Sequence, residues 1–460
     1  MRRQDDIIRR RASARYLPPD VLIKIVRYTM DASSVFSFLS VLDTPGARGD
    51  LESLWQLGLQ MNVTALWPVL HIWGKYLDTP STASHLEAIL PHYSHIVVED
   101  VIDLVWLGIH LNPSTTVTWR DIPTSDVEHA MHLSLQLWYS LWSTSFQITH
   151  LILSDRNLDF LVPELSSLRH LTHLTLNQST CSSPASLCAW LPTSAVVELH
   201  LIKLRDTTSP VHFTPLMLRH LQQWLHTRPV RHLQLHQCRW EHFGEITAAL
   251  FCEMFSSPTL LSLELARCPL PYPLHLPDRF PPTLRTLALQ NCQCLDSDDV
   301  QALPPALMGS NVVRLSLRGF NDADNDAYLD LLFNVLAQLR LSFLDLSDCG
   351  IVNSGVNRLV KYLTSNTSVE TLVLDDNAFS VDGAVKIAQA MQTHPSLRHL
   401  HVVRCEIGHN GVMALLTYLP KSMKALFVGP LTSISPHELN QLKTVAKLAN
   451  VQLDFAYNQF

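Results

Sequence analysis

Apolar and polar residues alternate along the second half of the chain in a form that two nine-residue stretches make plain. Residues 343–351 read FLDLSDCGI and residues 371–379 read TLVLDDNAF. In each, two leucines stand two apart (Leu344 and Leu346, Leu372 and Leu374), with an apolar residue three positions earlier (Leu341, Val369). A period of two predicts a strand with one buried face. Between the strands, GVNRLVKYLTSN places Val356, Leu359, Val360 and Leu363 at helical spacing, so an amphipathic helix is predicted there. Strand and helix together recur after 28 residues, from Leu344 to Leu372.

The same unit extends in both directions. Its central apolar residue falls at Leu151, Leu174, Leu199, Leu233, Leu263, Leu287, Leu315, Leu344, Leu372, Leu400, Leu426 and, in a degenerate closing strand, Val451. The intervals are 23, 25, 34, 30, 24, 28, 29, 28, 28, 26 and 25, regular only towards the C-terminal end. One such unit cannot bury its apolar face alone, so units must stack and share a continuous core.

This spelling resembles the leucine-rich repeat, L-x-x-L-x-L-x-x-N/C-x-L, in the form found in ribonuclease inhibitor and its relatives. The resemblance implies an α/β solenoid, horseshoe-like, with a parallel sheet on the concave face and helices outside, over residues 146–460. It also implies a role for Cys238, Cys268, Cys292, Cys349, Asn377 and Cys405, which share the ninth position: a ladder of side chains bonding buried backbone groups between neighbouring turns.

The first sixty residues follow another pattern. Residues 16–60 carry three apolar helical stripes, at Val21, Leu22, Ile25 and Val26, at Val35, Phe36, Phe38, Leu39 and Leu42, and at Leu51, Leu54 and Trp55. Leu17 and Pro18 open the first stripe, where proline suits a helix entry. The LPxxVLxxIV opening resembles an F-box, which makes this an all-α F-box-like module. Its adaptor-binding residues would be Leu17, Pro18, Val21, Leu22, Ile25, Val26, Phe36 and Leu39. A three-helix cap shielding the end of the solenoid is the alternative. Residues 61–145 read as a helical linker, interrupted at Pro68 and Pro91, that ends in an atypical cap repeat: a strand at 115–119 centred on Val117, then an amphipathic helix over 126–144. Trp138 and Trp142 are expected in the core.

Composition narrows the function. A net charge of −7 over 460 residues gives no electrostatic case for nucleic acid. Nine cysteines, most of them in the ladder, point to reduced thiols and a cytoplasmic or nuclear setting rather than a disulfide framework. The arginine-rich residues 1–15 read as a solvated tail, without a signal peptide, and no membrane span is expected. No nucleophile motif, phosphate-cradling loop or zinc knuckle is present: Cys292 and Cys294 are spaced too closely, and His129 with His132 lacks a third ligand. No enzyme activity, metal or cofactor is therefore expected. His150, His173 and Glu198 should nevertheless lie side by side on the concave sheet, where an exposed polar surface is favoured over a zinc site.

Partner recognition is the remaining class. Arg314 and Arg318 form a basic point, and Asp345, Asp348, Asp375 and Asp376 an acidic stripe. His399, His401 and Arg404 follow, with Phe343 and Phe427 as aromatic anchors. A patterned strip of this kind selects a protein partner by complementarity. The order of modules resembles that of a substrate receptor of a cullin–RING ubiquitin ligase, with the target on the concave face and the adaptor on the N-terminal helices. A repeat scaffold or regulator without ubiquitin connection, such as a GTPase-regulating or sensing protein, is the alternative.

Overall fold

The computed structural model describes residues 18–123, 133–206, 209–240, 244–271, 274, 276–292, 297–320, 325–429 and 434–455. The arginine-rich tail, Leu17, His129, His132 and Cys294 lie outside them. The chain divides into two compact units, residues 1–183 with 194–196, and residues 184–193 with 197–460.

The first unit opens with α1 (Pro19–Tyr28), α2 (Ala32–Val41) and α3 (Glu52–Gly58). The Asp31 carboxylate accepts the Ser34 N–H at 2.7 Å and starts α2. Leu22, Val26, Val35, Phe36, Leu39, Leu54 and Leu57 are buried and form the core of the three helices. The buried Arg48 guanidinium joins them: it donates to the Leu39 carbonyl at 3.0 Å and to Glu52 at 2.8 Å, and its charge sits 4.6 Å from the Trp55 ring centre.

Strands begin sooner than the hydrophobic pattern predicts. The helical reading of residues 61–114 is corrected by β1 (Leu70–Trp73) and β2 (His95–Glu99), which precede β3 (Thr116–Arg120), β4 (Gln147–Ser154) and β5 (His173–Asn177). All five run parallel. LHIW alternates in burial over only four residues, and HIVVE buries its three central residues in a row, so neither separates a short strand from a helix segment by period. Their helices, α4 (Pro80–Ile89), α5 (Leu104–His110) and α6 (Leu135–Ser145), are short. Trp119, not Val117, stands opposite Leu151, because the register shifts between Val117 and Thr118. Trp138 and Trp142 are fully buried and stack at 5.8 Å, each edge-on to Trp119.

The second unit is a run of ten parallel strands: β6 (Glu198–Ile202), β7 (His232–His236), β8 (Ser262–Ala266), β9 (Thr286–Gln290), β10 (Arg314–Ser316), β11 (Phe343–Asp345), β12 (Thr371–Val373), β13 (His399–Val402), β14 (Ala425–Val428) and β15 (Gln452–Phe455). Leu199, Leu233, Leu263, Leu287, Leu315, Leu344, Leu372, Leu400 and Leu426 stand in register as one buried spine, continued by the half-buried Leu453. The last of these corrects Val451, which lies before the strand. Helices link most turns, among them α7 (Asn353–Ser365), α8 (Val381–Met391), α9 (Gly408–Thr417) and α10 (Pro436–Leu448). Between β8 and β9 no helix occurs among the described residues; Pro269, Pro271, Pro277, Pro281 and Pro282 withhold the N–H donors one would need. Successive helices approach closely at Gly383 and Gly411, where a Cβ would come within 2.7 Å of Asn353 and 3.1 Å of Ala384 on the preceding helix.

Two hydrogen-bond columns stitch the turns. At the ninth position, thiols donate to a carbonyl of the preceding turn: Cys268 to Leu235 at 3.2 Å, Cys349 to Leu317 at 3.1 Å and Cys405 to Leu374 at 3.2 Å. Asn377 donates to Leu346 O at 2.8 Å and accepts the N–H groups of Cys349 and Ile351. Burial pushes the Cys292 and Cys405 thiols up to about 12, so both keep the proton they donate. One residue earlier, each turn from β6 to β13 passes through positive φ, at Lys203, Gln237, Arg267, Asn291, Gly319, Asp348, Asp376 and Arg404. That conformation is costly for most L-residues. Here it aims the N–H at the following turn: Lys203 to His236 O, Gln237 to Ala266 O, Arg267 to Gln290 O and Asp348 to Asp375 O, all at 2.8–2.9 Å.

Leu344 is fully buried at the middle of the spine, so Leu344→Ala is expected to destabilise the fold by about 2–5 kcal/mol. Denaturant unfolding would read this as a lower midpoint; a loss under about 0.5 kcal/mol would contradict a packed spine.

Candidate functional site

One face of each strand in the second unit turns away from the spine. The residues flanking each central leucine form two rows there. The row before it runs Glu198, His232, Ser262, Thr286, Arg314, Phe343, Thr371, His399 and Ala425; the row after it runs His200, Gln234, Glu264, Ala288, Ser316, Asp345, Val373, His401 and Phe427. Parallel pairing puts neighbours about 4.8 Å apart, so each side chain is read beside the next.

Towards β6 the face is a polar mesh. His232 Nε2 lies 3.7 Å from Glu198 Oε1, and Gln234 Nε2 is 3.3 Å from Glu264 and 3.0 Å from His236. Burial, with His200, Lys203 and Arg267 adding charge nearby, depresses the His236 imidazole to about 4. Of this mesh, sequence reading singled out only Glu198, and placed it beside His173 rather than in a group with His232, Gln234 and Glu264.

Towards β14 the face carries the predicted strip, in altered form. The Arg314 guanidinium lies over the Phe343 ring at 4.3 Å, a cation–π pair. Asp376 gathers two cations: Arg318 Nη2 at 3.0 Å and Arg404 Nη2 at 2.5 Å, the latter doubled through Nε. Asp348 is exposed. Asp345 and Asp375 are not part of an outward acidic stripe. Asp345 is buried, accepting from Ser316 Oγ at 2.8 Å and Ser347 Oγ at 2.6 Å, and Asp375 is buried, accepting the Val403 N–H at 2.7 Å. Asp345 satisfies donors of its own and the preceding turn, and Asp375 one of the next turn. His399 and His401 are half-buried, and the His401 ring stacks on Phe427 at 4.0 Å. Burial and the neighbouring His399 depress His401 to about 4, so this platform is uncharged at neutral pH.

The first unit brings His150 and His173 together as stacked rings 3.8 Å apart, with His95 6.0 Å from His150. Among the described residues, no three His, Cys, Asp or Glu side chains form a metal-holding group. Of the F-box-like set, Leu22, Val26, Phe36 and Leu39 are buried, Val21 is half-buried, and Pro18 and Ile25 are exposed. The buried four hold the helices together; Ile25, with Tyr28 and Met30 beside it, is exposed, as are Val41 and Leu59. No helix among the described residues is long and apolar enough to cross a membrane.

Residues 365–388 and 393–416 match the family model for the leucine-rich repeat. The chain carries leucine-rich repeats. No curated protein matches it. Similar solved structures include the actin-binding site 2 of leiomodin-1, 14% identical over 27% of this chain and 78% of that one, with a TM-score of 0.25. The tropomodulin C-terminal domain of Caenorhabditis elegans is 10% identical over 27% and 76%, TM-score 0.24. An internalin of Listeria monocytogenes is 13% identical over 83% and 93%, TM-score 0.35.

Asp375 sits in these repeats with its carboxyl raised from 3.8 to about 6 by burial, helped by Asp345 and Asp376. A raised folded-state value means that the native carboxyl binds protons more readily than the unfolded one, so stability falls as pH rises from about 4 to about 6. Asp375→Asn keeps an acceptor for Val403 and removes the buried charge. It is expected to stabilise the protein by about 1–3 kcal/mol at pH 7.5, with the gain vanishing near pH 3.5. Paired denaturant titrations check this; a gain independent of pH would contradict the assignment.

Proposed function

We propose that this chain is a non-enzymatic interaction protein that grips a protein target on the open, concave face of its C-terminal repeats. The observation that carries the reading is the surface made by Arg314 over Phe343, Arg318 and Arg404 on Asp376, and His401 on Phe427. Aromatic and arginine side chains in fixed positions are the residue types that dominate protein–protein hot spots. The internal pairing of the arginines holds them in place before a partner arrives, which lowers the entropy lost on binding. Asp348, exposed between them, adds a negative point that favours a mixed-charge partner over a uniformly acidic one.

The finer proposal is a substrate receptor of a cullin–RING ubiquitin ligase. Residues 16–60 would be the adaptor-binding module, residues 61–145 the joining segment with a cap repeat, and residues 146–460 the target-binding domain, in the cytoplasm or nucleus. Its support is the three-helix core, which leaves Ile25, Tyr28 and Met30 outward. Surface apolar residues grouped in this way are candidates for docking another protein. A scaffold or regulator using the same repeat face without ubiquitin remains the second reading, since the repeat surface supports it without the helices.

Affinity capture from cells with the full chain, followed by mass spectrometry, separates the readings. The ligase reading expects an adaptor and a cullin, both lost with Ile25→Asp and Tyr28→Asp, and a target lost instead with Phe343→Ala and Arg314→Glu. Recovery of the target without any adaptor or cullin leaves the scaffold reading standing and removes the ligase one. Capture unchanged by Phe343→Ala and Arg314→Glu would overturn the repeat face itself.

A further inference from the structure

The last strand of the second unit, β15, has a neighbour on one side only: among the described residues the sheet ends there. The alternation of a parallel ladder decides which groups are left over. Gln452 N–H donates to Lys424 O at 2.9 Å, so Gln452 and Asp454 face β14, and Leu453 and Phe455 turn their N–H and C=O groups outward. Beside this edge the chain leaves α10, passes Asn450 in the left-handed region and enters β15, and a groove of about 340 Å³ opens between helix and strand. Its walls are apolar at Ala446, Val451 and Leu453, and Lys443 and Lys447 stand over it on successive turns of α10. Both lysines are exposed and neither makes an ion pair among the described residues. Among the described residues, no acidic one lines the groove.

An open strand edge is a template for another strand, and a groove between an edge strand and a helix is where extended peptides add to a sheet. We propose that β15 and α10 form a second docking site, separate from the open face, for an extended acidic segment of a protein partner. The segment lies along β15 as one more strand and pairs its backbone with Leu453 and Phe455. Alternate side chains enter the groove over Val451 and Leu453, and its carboxylates meet Lys443 and Lys447. Charge argues against a second copy of this chain in the same place. An edge-to-edge pair would bring two sets of Lys443 and Lys447 to one seam with only the Asp454 carboxylates from β15 to offset them.

The probe is a short dye-labelled peptide of alternating Val and Glu, titrated with the full chain and followed by fluorescence anisotropy. Saturable binding is expected. Leu453→Pro removes one outward donor at an edge position that tolerates proline, and should weaken binding about threefold to tenfold. Lys443→Glu with Lys447→Glu should weaken it about tenfold or more and shift preference to a peptide of alternating Val and Lys. Far-UV circular dichroism and melting establish that each variant is folded. Three results would overturn the proposal. One is equal affinity for a peptide N-methylated at alternate amides. Another is absence of saturable binding by the folded chain. The third is a concentration-dependent dimer, seen by sedimentation and lost in Leu453→Pro, which would assign the edge to a second copy.

Discussion

The bond from a ninth-position side chain to a carbonyl of the preceding turn is the constraint on which the second unit rests. The backbone must leave each strand and reverse towards a helix inside the core, where unpaired polar groups are costly. A thiol or an amide at this point answers that need, and five cysteines and one asparagine occupy it. Cys349 donates its thiol back to the Leu317 carbonyl and its N–H forward to the Asn377 side chain, so this turn is tied to both neighbours. The positive-φ residue one step earlier supplies a second tie in the forward direction. Its demand is on backbone conformation rather than on side-chain chemistry, which is why lysine, glutamine, arginine and aspartate all serve there.

Because the turns are fixed in register, the residues between the leucines become a surface. Side chains from nine successive strands lie in two rows, and their chemistry is set by what the turns have already consumed. Asp345 and Asp375 are spent inside on hydroxyl and backbone donors. Asp376 remains available but is shared by Arg318 and Arg404. What faces outward is therefore a braced arrangement of guanidinium, ring and imidazole groups rather than a basic point beside an acidic stripe. Such a surface suits a partner that brings both apolar area and mixed charge.

Much of this was legible in the sequence. Leucine alternation placed the strands from β4 to β14, because alternation and burial are the same fact seen twice, and missed the centre of β15 by two residues. The ladder was legible because cysteine and asparagine recur at one offset. The positive-φ column was not, since none of Lys203, Gln237 and Arg267 announces a left-handed turn as glycine would. β1 and β2 escaped notice because apolar runs this short, Leu70–Trp73 broken by His71 and Ile96–Val98, fit a buried strand and a helix segment equally. Among site residues, Asp376 pairs with Arg404, Phe343 lies under Arg314 and His401 stacks on Phe427. Asp345 and Asp375 are buried instead, and a charged letter carries no sign of which way its side chain turns.

Amide hydrogen exchange at single-residue resolution tests the stitching most directly. In the native chain the N–H groups of Cys349 and Ile351, both donated to the Asn377 side chain, should exchange as slowly as the amides of β11 and β12. With Asn377→Ala these two should become fast, together with amides of the adjoining turns, while β7 and β8 keep their protection, since each repeat contacts its neighbours only. Unchanged slow exchange at Cys349 and Ile351 in the variant would contradict the account.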